Sequence, residues 1–218
     1  MSHIEIRIAL VLSLLVAGIS PAQADVTPTA LSIIETQVTK GRAPKTAYTR
    51  PQFGQTWADV DRNGCDTRND ILKRDLTGEV FKEKTRQCVV VSGTLIDPFS
   101  GETINFVRGN VSSMEVQIDH VVALSNAWQT GAFKLTIKER TAFANDPMNL
   151  MAVKGRLNSQ KGDGDAATWL PPLKSFRCDY VARQIAVKLK YKLWFTAPEK
   201  EAMVRILKSC PEKALPTT

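Results

Sequence analysis

The chain has 218 residues, a formal net charge of +7 and 43% hydrophobic residues. About 190 residues past an N-terminal leader suffice for one domain with a real core, and the positive charge suits a polyanion such as nucleic acid or an anionic cell surface. Four cysteines with no Cys-x-x-Cys pair exclude a zinc knuckle, and a single histidine beyond the leader, His120, excludes a multi-histidine metal cage.

The N-terminus reads as a secretory signal. Arg7 gives a weak positive start, residues 8–19 are apolar, and Ala22-Gln23-Ala24 is a small-x-small cleavage site. The apolar run falls short of the ~20 residues a spanning helix needs. Cleavage near Ala24 removes one arginine and one glutamate, so the charge of the mature chain, residues 25–218, is unchanged. The expected location is periplasmic or extracellular, with no membrane attachment after cleavage. There, an even number of cysteines implies disulfides.

Residues 29–40 carry Leu31, Ile34 and Val38 at helical spacing. A basic, proline-punctuated loop follows over 40–51. Asp66 is a good N-cap for a helix through Leu76. Residues 88–96 and 103–107 are rich in β-branched side chains around the turn Asp97-Pro98-Phe99-Ser100-Gly101, which predicts a hairpin. A further strand is expected over 115–118, with Val116 and Ile118 on one face and Glu115, Gln117 and Asp119 on the other. Short helices are expected over 123–130 and 136–144, a strand over 149–153, and a helix over 156–161 stopped by Gly162. The C-terminus reads as a helical hairpin, 175–190 and then Thr196 to about Cys210, turning near Trp194 with Pro198 in the first turn of its second helix. Antiparallel helices bring Cys178 and Cys210 together, so the expected pairing is Cys65–Cys88 and Cys178–Cys210, worth about 2–4 kcal/mol each.

The chemistry centres on Ile118-Asp119-His120-Val121-Val122. Histidine is the side chain whose ordinary pKa suits a general base near neutral pH, and the neighbouring carboxylate can hold a hard cation. Asn149 follows His120 by 29 residues, on the second strand, and Asn158 follows Asn149 by 9, on a helix. These strings, with Asn145-Asp146-Pro147-Met148-Asn149-Leu150-Met151-Ala152-Val153 and Asn158-Ser159-Gln160-Lys161, resemble the HNH endonuclease superfamily. More narrowly, the chain is similar to secreted HNH-family proteins of bacteria and actinobacteria, related to the nuclease domain of type IV modification-dependent restriction enzymes. Asn63-Gly64-Cys65-Asp66-Thr67-Arg68-Asn69-Asp70, Ser92-Gly93-Thr94-Leu95 and the stretch 157–172 extend the likeness over about residues 45–210.

The resemblance implies an α+β fold: a ββα-metal core over about 115–165, an N-terminal helix and hairpin extension, and the disulfide-stapled C-terminal helical hairpin. It implies His120 as general base, Asn149 as the residue bracing the loop and orienting His120, and Asp119 and Asn158 as ligands of one divalent cation. Asparagine in place of a histidine ligand favours an oxygen-preferring ion, Mg²⁺ first, with Mn²⁺ or Ca²⁺ fitting the same donors. The substrate would be DNA, and on the same chemistry RNA, cut with low sequence specificity, since no reading module is recognisable. Lys154, Arg156 and Lys161 surround the helix and are expected to touch phosphates. Arg68, Arg74, Asp61 and Asp66 are further site candidates, helix capping being the simpler role for Asp66. Trp128 and Trp169 read as core or lid residues, and Lys188, Lys190 and Lys192 as complements to a helix dipole. A monomer is the default expectation. Three alternatives predict different behaviour. A non-catalytic polyanion- or cell-wall-binding protein keeping the fold would bind without cleaving. A structural protein would show no salt-dependent DNA affinity. A phosphodiesterase of small nucleotides would cleave a dinucleotide analogue but not plasmid.

Overall fold

Asp66 accepts a hydrogen bond from the Asn69 backbone N–H at 2.8 Å, and this cap starts α2, Thr67–Asp75. A computed structural model describes residues 28–109 and 112–217; the expected leader lies outside them. Upstream, Thr29 caps α1, Ala30–Thr36, which ends earlier than its apolar spacing suggests because Gln37 is already extended. Downstream come strands β1, Thr77–Phe81; β2, Val90–Ile96; β3, Thr103–Val107; and β4, Val116–His120. Helices α3, Leu124–Gln129, and α4, Ile137–Ala144, precede β5, Leu150–Lys154, which runs straight into α5, Gly155–Lys161. The chain closes with α6, Arg177–Lys190, and α7, Ala197–Leu207. The fold is α+β.

The strands form two separate antiparallel sheets, β1-β2-β3 and β4-β5. The expected hairpin is β2–β3. Strand β1 has weak strand chemistry, with Gly78 and Glu79 inside it, and its pairing with β2 is irregular. It forms because β2 offers it a free edge. The β4–β5 ribbon pairs Val116 with Lys154, Ile118 with Ala152, Asp119 with Met151 and His120 with Leu150. Cross-strand partners share a face. Ile118, Leu150 and Ala152 therefore meet Ile71, Leu72, Val90, Leu95 and Phe106 from α2 and the larger sheet. On the other face Met151 and Val153 meet Tyr180, Val181 and Ile185 of α6 and Met203 of α7. Each fully buried side chain of this size contributes about 1.5–3 kcal/mol, so the ribbon is clamped from both sides.

Gly155 permits the close approach of α5. A Cβ there would lie 1.9 Å from the Met114 carbonyl oxygen, while the Gly155 N–H donates to Glu115 O at 2.9 Å. Both disulfides are present, Cys65–Cys88 and Cys178–Cys210, with Cα separations of 5.1 and 6.6 Å. The second joins the open ends of the α6–α7 hairpin. Trp128 and Trp169 are core residues, Trp128 beside Tyr48 and Phe53, and Trp169 against Phe99 and Tyr180.

Lys188 departs from the dipole role expected of it. It is 1% exposed and donates to Glu199 Oε2 at 2.6 Å, across the helical hairpin. Glu199 is itself fully buried and also caps α7 through the Thr196 N–H. Burial pushes the lysine down and the glutamic acid up from their ordinary values, so each depends on the other for its charge. Lys188→Met should therefore lose about 3–5 kcal/mol in urea unfolding, because it strands a buried carboxylate. Lys188→Met with Glu199→Leu should recover at least half of that loss. A double variant no more stable than the single one would show that the pair is not the unit of stability.

Candidate active site

Consecutive strand residues point to opposite faces, so Asp119 and His120 reach different neighbours. His120 shares the face of Ile118 and Leu150. Its Nε2 lies 2.9 Å from the carbonyl oxygen of Ala144 at the end of α4. A carbonyl can only accept, so Nε2 carries the proton and Nδ1 keeps the lone pair. The ring lies parallel to Trp57, with centroids 5.9 Å apart and planes 13° apart. Burial is the main cause of a His120 pKa lowered to about 3, with the Arg50 and Lys161 cations adding to the effect, so the ring is neutral near pH 7.

Asp119 faces α5. Its Oδ1 accepts from Lys161 Nζ at 2.7 Å, and the same ammonium donates to the His120 carbonyl at 2.7 Å. Its Oδ2 is buried with no hydrogen-bond partner. One turn back along α5, Asn158 Nδ2 donates to Gln117 Oε1 at 2.8 Å, which leaves the Asn158 amide oxygen available. Asn149 is fully buried. Its Oδ1 accepts from the Val122 N–H at 2.8 Å, and its Nδ2 donates to the Val122 and Phe143 carbonyls at 3.3 and 3.4 Å. It thus ties the turn after β4 to the end of α4, beside the carbonyl that holds His120.

Asp119, His120 and Asn158 line one cleft of about 410 Å³, walled by Tyr48, Arg50 and Asp163. Among the described residues no three His, Cys, Asp or Glu side chains converge into a metal cage. The oxygen donors of the cleft include the Asp119 carboxylate with its orphaned oxygen, the Asn158 amide and Asp163, which is already paired with Lys45. That set suits a hard cation that keeps several waters and takes further oxygens from a phosphate.

Three expectations need correction. Lys161 is not a free phosphate contact. It is 3% exposed and committed to Asp119. Lys154 and Arg156 do not line the cleft, because β5 runs from Leu150, opposite His120, to Lys154, opposite Val116, at the far end of the ribbon. Lys154 pairs with Glu102 instead. Of the other candidates, Asp66 caps α2, and Arg74 donates to the Pro147 and Leu150 carbonyls, both at 2.7 Å. Lys45, Tyr48, Arg50 and Trp57 were not anticipated. The basic loop 40–51 signalled three of them, but nothing in its pattern tells which wall a loop will build.

Residues 66–206 match the family described as GmrSD restriction endonucleases, C-terminal domain. The chain belongs to this family. The GmrSD C-terminal domain match runs from the Asp66 cap to the last turn of α7, and so contains Asp119, His120, Asn149, Asn158 and Lys161. A relative from Arthroderma benhamiae, described as an uncharacterized secreted protein, is 36% identical over 184 residues, covering 84% of this chain and 85% of its own. No solved structure matches the chain. Both disulfides fit an extracellular or otherwise oxidising location, in line with the secreted relative.

The neutral, buried imidazole has a consequence for stability. A histidine depressed in the folded state binds its proton more weakly there than in the unfolded chain, so stability is present above pH 6.5 and is lost as pH falls toward 3. Between pH 7 and 4.5 this should cost about 2–3 kcal/mol. Urea unfolding at the two pH values should show that difference between the wild type and His120→Gln. Equal losses in both proteins would mean that the ring is not the titrating group.

Proposed function

We propose that this protein is an exported, metal-dependent endonuclease that hydrolyses phosphodiester bonds in DNA, and in RNA by the same chemistry, with low sequence specificity. The observation that carries this reading is the single cleft lined by Asp119, His120 and Asn158, in which the imidazole keeps a lone pair on Nδ1 and the Asp119 carboxylate has an unpartnered oxygen. The family supplies the reaction class, since restriction endonucleases cut nucleic acid. The signal-like N-terminus, the disulfides and the secreted relative support export.

His120 takes the proton of the attacking water on Nδ1, while its Nε2–H stays on the Ala144 carbonyl, which fixes tautomer and ring direction. The water oxygen forms a bond to phosphorus as the bond to the leaving oxygen breaks. Asn149 holds the turn that carries His120 against α4. Asp119 through Oδ2 and Asn158 through its amide oxygen would hold the divalent cation, Mg²⁺ by preference. When bound, that ion supplies charge stabilisation at the transition state and the leaving oxygen. Arg50, exposed on the cleft wall, is placed to meet a phosphate.

The mature protein incubated with supercoiled plasmid and Mg²⁺ or Mn²⁺ should nick it, and EDTA should stop the nicking. His120→Ala should lower the rate about 10²–10⁴-fold, the usual worth of a general base. Salt-dependent binding without cleavage under any metal would replace the nuclease with a polyanion-binding protein. Unchanged cleavage by His120→Ala would remove His120 from the chemistry.

A further inference from the structure

The cleft holds little free negative charge. Asp119 is held by Lys161, with 3% and 0% of the respective side chains exposed. Asp163, which also lines the cleft, is held by Lys45 at 2.9 Å and by the Ser125 hydroxyl at 2.9 Å. The imidazole and the Asn158 amide add no negative charge. Arg50 adds a positive one and joins none of the salt bridges among the described residues. A cation entering the free protein therefore meets a carboxylate whose charge is already balanced, with an ammonium 2.7 Å from its other oxygen. Cation affinity rises with the number of free anionic ligands, and each of the two carboxylates lining this cleft is already paired with an ammonium.

We infer that Lys161 is a positioning residue that fixes Asp119 through Oδ1, leaves Oδ2 as its single free oxygen, and keeps the free protein a poor cation binder. The missing negative charge arrives with the substrate phosphate, so divalent cation and nucleic acid bind cooperatively. This rests on the nuclease reading of the same cleft. It adds a defined order of charge: ammonium and carboxylate neutralise each other in the empty site, and the phosphate restores the attraction for the ion. Linkage makes the effect reciprocal, so the factor by which DNA strengthens the ion equals the factor by which the ion strengthens DNA.

The test uses the mature protein carrying His120→Ala, so that DNA survives, with Mn²⁺ counted by electron paramagnetic resonance at constant ionic strength. A 16-base-pair duplex is the probe, and Mn²⁺ bound by the duplex alone is subtracted. Mn²⁺ affinity should rise at least tenfold when the duplex is present. Duplex affinity by fluorescence anisotropy should rise by the same factor with Mn²⁺. Adding Lys161→Met should tighten Mn²⁺ binding at least tenfold without DNA and shrink the coupling below threefold. Lys161→Arg, which keeps the charge, should retain the parental behaviour, and Asp119→Asn should abolish the coupling. Equal Mn²⁺ affinity with and without bound duplex overturns the inference, and that arm decides alone if Lys161→Met does not fold. A folded Lys161→Met variant that binds Mn²⁺ no more tightly also overturns it. Metal-dependent plasmid cleavage by the wild type alongside either result leaves the nuclease reading standing. Absence of both cleavage and any Mn²⁺ effect sinks the nuclease reading itself.

Discussion

Two residues of β4 and two of α5 meet in register, and the site follows from that meeting. Gln117 and Asp119 lie two apart on one face of the strand, Asn158 and Lys161 three apart on one face of the helix. Each pair closes with one hydrogen bond, at 2.8 and 2.7 Å. The buried Asp119–Lys161 contact is the stronger constraint. Removing one partner of such a pair costs about 3–5 kcal/mol, far more than the pair adds over an apolar replacement. It therefore specifies the arrangement more than it stabilises the fold. By also gripping the His120 carbonyl, Lys161 fixes where the strand ends and the chain turns.

The other half of the site depends on a loop that the scaffold holds from several sides. His120 takes its orientation from the Ala144 carbonyl, so residues 144–149 must not move. Asn149 ties this stretch to Val122. Asp146 is held by the Tyr191 hydroxyl at 2.8 Å and by Lys190 at 2.7 Å. Arg74 of α2 grips the Pro147 carbonyl and Arg183 of α6 the Met148 carbonyl, at 2.7 and 2.9 Å. The elements that do this, α2 and α6, are far from β4 in sequence. Both elements lie within the family match, which runs from the cap of α2 through the helical hairpin.

Much of this was legible from residue chemistry. The caps at Asp66 and Thr196, the β2–β3 hairpin and the strand–strand–helix order around Asp119 and Asn158 all follow from local pattern. The cross-hairpin disulfide follows from the antiparallel geometry of two helices. What failed to show was long-range and electrostatic. Strand β1 exists because a neighbour offers an edge, and its own residues argue against it. Lys161 and Lys188 look like solvent-facing cations until the fold supplies a buried carboxylate for each. A lysine's stem is apolar enough to be buried, so only its partner decides, and the partner lies 42 residues away for Lys161 and 11 for Lys188.

The floor and the wall of the cleft have different origins, and this divides their roles. Asp119, His120 and Asn158 sit on the ribbon and on α5, inside the matched region and clamped by two cores. Lys45, Tyr48 and Arg50, and Trp57 that stacks on the His120 ring, come from the segment before residue 66, which reaches the cleft as loop and a single 3-10 turn, Arg50–Phe53. That turn is anchored by Phe53, buried against Trp128 and Phe143, and by Arg140, which donates to the Gln52 carbonyl at 2.6 Å. Reaction chemistry needs atoms held within a fraction of an ångström, which packed strands and helices provide. Choice of substrate needs a surface that can vary without disturbing the core, which an anchored loop provides. The cleft therefore joins loop-borne Lys45, Tyr48 and Arg50 to Asp119, His120 and Asn158 on packed elements.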